Sequence, residues 1–103
     1  MKANEFVKKY GLELSREIVS KQPKWASNVR VSEIIGTWEY TEKVLPSFSI
    51  VELKRLVESH ELVMDYYGLT RAKEHAESNY TAPELKAALK QAIADAESCM
   101  EVS

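Results

Sequence analysis

His60-Glu61-Leu62-Val63-Met64 is the string that comes nearest to a reaction centre. A zinc metalloprotease helix sets two histidines four residues apart, so that both imidazoles face one metal with the glutamate as base. Here Met64, a thioether and a poor zinc ligand, holds the second position. His60 instead continues an apolar stripe and is expected at the edge of a core with one hydrogen bond. His75 and Cys99 have no matching partners at metal-ligand spacing, and Glu74 and Glu77 beside His75 read as a solvated face. Nothing around Cys99 is built to lower a thiol pKa, so a free, partly buried thiol is expected there. Glu58, Glu61 and Asp65 fit the polar face of a helix that also carries Lys54 and Arg55. Gly11, Gly36 and Gly68 are isolated, so there is no phosphate-cradling loop. Asn79-Tyr80-Thr81 matches a glycosylation sequon, a chance match without a secretory leader. The expectation is no catalytic residue, no metal site and no cofactor.

Binding is the chemistry left. Trp, Tyr and Arg dominate protein–protein hot spots. Trp25, Arg30, Trp38 and Tyr40 all fall within residues 24–48, and they are the expected partner-binding residues. The competing account has both tryptophans filling a small core. A nucleic-acid reading is weaker: Lys and Arg total 14 against 16 Asp and Glu, net −2, without the basic excess of a dedicated binder. Residues 1–25 carry net +3 and residues 50–103 net −4, a modest asymmetry. Residues 62–78, with Gly68 in the middle, have the outline of a helix-turn-helix. Glu74 and Glu77 stand where its second helix should bury apolar side chains.

These residues must be positioned by helices for most of the chain. Phe6, Tyr10, Leu14 and Ile18 recur every four, and Asn4 can cap the first turn. Gly11 interrupts this pattern, leaving either two short helices, 4–10 and 12–21, or one bent helix, stopped by Pro23. Ser49-Ile50-Val51-Glu52 reads as a capping box for a helix over 50–67, with Gly68 at its left-handed end and Leu69 folding back. A short helix near 70–78 follows. Thr81-Ala82-Pro83-Glu84 then caps a last helix reaching about residue 100.

Residues 24–48 admit two readings. Val29, Val31 and Ile35, then Gly36-Thr37, then Trp38, Tyr40 and Val44 fit a β-hairpin with a glycine-first two-residue turn. Ile34, Trp38, Thr41 and Leu45 equally fit a helical face. An irregular or helical segment is preferred, because an isolated hairpin is marginal. The expected fold is mainly α: a small single-domain helical bundle of about four helices over residues 1–103, with a short hairpin within 29–44 as the alternative. Its parts are an N-terminal helical segment (4–21), a middle segment (24–48) and a helical scaffold (50–103).

At 103 residues, 45% hydrophobic and 29% charged, the composition is that of an ordinary globular protein. The single cysteine forms no internal disulfide, and no apolar run approaches the roughly 20 residues of a membrane span. The expectation is a cytoplasmic protein that does not enter membranes. In the last helix Leu85, Leu89, Ala92, Ala96 and Cys99 follow a/d spacing. Leu89, Ile93 and Met100 are accordingly expected as a dimer seam with a second copy of the chain.

Three blocks carry a resemblance: KANEFVKKYGL at 2–12, LKRLVESHELV at 53–63 with Gly68-Leu69 after it, and LKQAIADAESC at 89–99. Together they resemble small accessory early-region proteins of lambda-like temperate phages and enterobacterial prophages. The resemblance implies a noncatalytic protein acting in a bacterial host on nucleases, transcription or replication factors, or restriction and CRISPR systems. It also implies that residues 24–48, which differ here, are the variable contact region. The expected function is therefore an inhibitor or modulator of a host or defence protein, with a small DNA- or RNA-binding regulator as the alternative.

Overall fold

Gly11 divides the first helical stretch. In the computed structural model, which describes residues 1–44 and 46–100, its φ is +91° and its ψ 164°, a combination essentially restricted to glycine. Two helices result, α1 (Ala3–Tyr10) and α2 (Leu12–Ser20). The cap is not Asn4, which lies inside α1; the N-cap residue is Lys2, and the Phe6 amide donates to its carbonyl at 3.0 Å.

The middle segment is strand, which corrects the preferred helical or irregular reading. β1 (Asn28–Ser32) pairs antiparallel with β2 (Thr37–Thr41), and β3 (Ser47–Ser49) pairs antiparallel on the other side of β1, in the order β2-β1-β3. The expected objection to a lone hairpin is met by this third strand, because three strands with one apolar face are the smallest stable sheet. The turn also differs from the expected Gly36-Thr37 pair. Four residues, 33–36, connect the strands, Gly36 comes last with φ +76°, and its amide donates to Ser32 O at 2.7 Å. β3 begins only after Pro46, which has no N–H and would come opposite Val31. Leu45, a member of the helical alternative, lies outside the described residues.

The fold is thus a mixed one: five helices with a three-stranded antiparallel sheet among the described residues, mainly helical but not a four-helix bundle. α3 (Ile50–Asp65) begins as the capping box predicts, Ser49 Oγ accepting the Glu52 amide at 3.5 Å. Its far end is shifted by one residue from the expectation. Tyr67, not Gly68, takes the left-handed conformation (φ 64°), with its amide on Met64 O and the Gly68 amide on Val63 O. Gly68, at φ 111° and ψ 179°, then opens α4 (Leu69–Glu77). α5 (Pro83–Ser98) has Pro83 in its first turn, but Ala82 is its N-cap residue and no side chain caps it.

The chain gathers into two compact units, Met1–Arg55 and Leu56–Ser103. In the first, Phe6 is fully buried, with its ring 5.2 Å from Phe48 of β3 and 4.9 Å from Tyr10; Ile18, Val29 and Leu53 are also buried. In the second, α4 lies on α5: Val63, Ala72, Ala76, Leu89, Ala92, Ile93 and Ala96 form one apolar cluster, with Leu62, Tyr66 and Leu69 at its border.

Candidate functional site

The pleat sorts the sheet's side chains onto two faces. Val29, Tyr40 and Phe48 are opposite one another, and Val29 and Phe48 are buried, so this is the inner face. Val31 and its partner Trp38 continue it toward the hairpin tip. Tyr40 donates its hydroxyl to Ile18 O at 2.7 Å, and burial, then the charge of Glu17, hold its pKa above the usual tyrosine value. Trp38 meets the Tyr40 ring edge-on at 5.1 Å. On the outer face Arg30 is ion-paired with its cross-strand partner Glu39.

At the tip the polar surface gives way. Ile34 is 100% exposed and Ile35 75% exposed, two consecutive branched apolar side chains in a four-residue turn. A groove of about 470 Å³ lies beside them, lined by Arg30, Val31, Ile35, Thr37, Trp38 and Pro46 among others. A second groove of about 370 Å³ is lined by Met1, Val31, Ser32, Glu33, Ile34 and Pro46. Val31, Ser32 and Pro46 border both. No protein-family model matches the chain, and neither curated proteins nor solved structures yield a match.

Of the four expected contact residues, the structure brings Arg30 and Trp38 to one groove. Tyr40 sits beside Trp38 but turns its hydroxyl inward to α2. Trp25, 58% exposed, belongs to the connection before β1 and lines neither groove. Sequence reasoning placed Ile34 and Ile35 on a helix or in a strand and missed them as a surface. Their signal was available: two large apolar residues just before the only glycine of the segment.

The expected dimer seam requires correction. Leu89 is wholly buried and Ile93 nearly so, both within the cluster that joins α4 to α5, leaving only Met100 half exposed. The apolar width of α5 is covered by Ala72 and Ala76 of α4, whose small side chains admit a close approach. The same pair answers the helix-turn-helix outline: α4 buries these alanines against α5, while Glu74 and Glu77 remain exposed.

The remaining chemistry-bearing residues have structural partners. His60 donates from Nδ1 to Leu56 O at 2.8 Å, one turn back on α3. The His75 ring lies 4.8 Å from that of Tyr66. Cys99 is buried, and that burial raises its thiol pKa, outweighing a hydrogen bond with Ser98 that lowers it. Among the described residues no three His, Cys, Asp or Glu side chains converge as metal ligands. No helix there is long and apolar enough to cross a membrane.

One polar constellation was missed altogether. Asp95 is buried on α5; its Oδ2 accepts from Ser59 Oγ at 2.7 Å and its Oδ1 from Gln91 Nε2 at 3.0 Å. Both residues occupy apolar-stripe positions: Ser59 lies three after Leu56 and four before Val63, and Asp95 three after Ala92 and four before Cys99. A polar residue on such a stripe is the signal that predicts a buried pair. The Ser59–Asp95 hydrogen bond ties α3 to α5 through buried side chains.

Proposed function

We propose that this chain is a noncatalytic binding protein that docks a protein partner on its hairpin, with Ile34 and Ile35 as the apolar anchors. The observation that carries this reading is the exposure of Ile35 in the groove that Trp38 and Arg30 line, next to a fully exposed Ile34 that lines the neighbouring groove. Branched apolar side chains at the tip of the hairpin add little to folding, since they bury almost nothing, yet they offer a partner apolar surface to bury. Trp and Arg at the rim are the residue types that dominate interface energetics. The resemblance to phage accessory proteins supports a bacterial host or anti-phage defence protein as that partner, and inhibition or modulation as the outcome.

The test compares the wild-type chain with an Ile34→Asp/Ile35→Asp variant, both used as bait in a bacterial host lysate with quantitative mass spectrometry. Neither residue is buried, so the variant's circular dichroism and melting should match wild type. A protein retained by wild type and lost by the variant supports the reading. Equal retention by both removes the hairpin from the interface. A gel shift of non-specific duplex at low salt, abolished by moderate salt, would favour the nucleic-acid alternative instead.

A further inference from the structure

We propose that the outer edge of β2 is a strand-addition site that takes an extended segment of the partner protein carrying a basic residue between two apolar ones. The inference rests on the binding reading above and adds the mode of docking and the chemistry of the docked segment.

Among the described residues β2 has a single strand neighbour, β1, so one row of its backbone donors and acceptors has no strand partner. Sheet edges are usually blunted by short length, charged side chains (lysine above all), proline, a bulge or a covering element. Thr37-Trp38-Glu39-Tyr40-Thr41 contains no proline, lysine or bulge, its one charge is Glu39, and its paired register with β1 is unbroken. All of its residues but Glu39 are also among the strongest strand formers.

The strand already displays the sequence it accepts. On its inner edge Val31 stands opposite Trp38, Arg30 opposite Glu39 and Val29 opposite Tyr40. The pleat presents the same three side chains to the outer edge: aromatic rings on one face, the Glu39 carboxylate on the other. An antiparallel strand reading apolar-basic-apolar therefore repeats the fit of Val29-Arg30-Val31. Its cation would share the Glu39 carboxylate with Arg30, and Glu33 and Glu42 flank the strand in sequence, offset in part by Lys43. A second copy fits less well. Pairing two β2 strands in full register sets Glu39 opposite its own counterpart, a like-charge contact that destabilises a sheet.

The probe is a nine-residue peptide with Val-Arg-Val at its centre, compared with Val-Glu-Val and with a Val-Arg-Val peptide N-methylated on alternate amides. Binding is followed by amide chemical shifts of the full chain. Shifts concentrated in Thr37–Thr41, about tenfold tighter for the arginine peptide than the glutamate one, and lost on N-methylation, are expected. The charge-swapped Arg30→Glu/Glu39→Lys variant keeps the internal ion pair and should invert that preference.

No shift with millimolar Val-Arg-Val peptide, shifts outside Thr37–Thr41, or equal affinity for both peptides would each overturn the proposal. So would light scattering at twice 11.7 kDa that falls to monomer with Trp38→Lys, because a second copy would then occupy the edge. If the peptides fail while Ile34→Asp/Ile35→Asp still releases the partner, strand addition falls and the docking reading stands.

Discussion

Replacing Ser59 by alanine tests whether the buried polar link between α3 and α5 holds the Leu56–Ser103 unit together. The hydroxyl donates to Asp95 Oδ2 at 2.7 Å, a short bond to a charged acceptor, and both residues are buried. Such bonds contribute about 1.5–3 kcal/mol. Alanine is the better helix former by about 0.5 kcal/mol, which offsets part of the loss. The net destabilisation should therefore be about 1–2.5 kcal/mol, or a fall in Tm on the order of 5–15 °C for a chain of this size. Urea unfolding followed by far-ultraviolet circular dichroism measures it. The companion variants Asp95→Ala and Ser59→Ala/Asp95→Ala complete a double-mutant cycle, and the coupling should exceed about 1 kcal/mol. A Ser59→Ala variant as stable as wild type, or a cycle with no coupling, would refute the reasoning.

Gly11→Ala should destabilise the chain by about 1–3 kcal/mol, because φ +91° with ψ 164° is strained for any side chain. An added Cβ would meet nothing within 4 Å, so thermal melting would report backbone strain alone. Cys99 should react with a thiol reagent at pH 8 far more slowly in the native chain than in denaturant, since burial raises its pKa and hides it. The stability tied to its neutral form is complete below the unfolded thiol pKa and declines as pH rises through the raised native one. Tyr40 follows the same sign near pH 10: stability should fall as its phenol is forced to ionise, and absorbance titration should show it ionising late. Tyr40→Phe loses the bond to Ile18 O, costing about 0.5–1.5 kcal/mol, and should flatten that alkaline decline.

What the residues settle by themselves is local. The capping box at Ser49, Pro83 in a first turn, the break at Gly11 and the apolar stripes of α3 and α5 depend on neighbours within four positions, and sequence carries those directly. Even the end of α3 was legible to one residue, although the chain puts Tyr67 rather than Gly68 in the left-handed position. The sheet was beyond that reach. Val29, Val31, Trp38 and Tyr40 alternate as a strand should, but a run this short also fits a helical face. The deciding contacts are β3, three residues with no signal of their own, and Phe48 against Phe6, far away in sequence. Periodicity likewise marks Leu89 and Ile93 as apolar without saying what covers them. Ala72 and Ala76 of α4 do so, which takes Leu89 and Ile93 out of the expected dimer seam. The exposure of Ile34 and the burial of Asp95 invert what hydropathy predicts for each, because burial belongs to where the chain packs and not to the side chain alone.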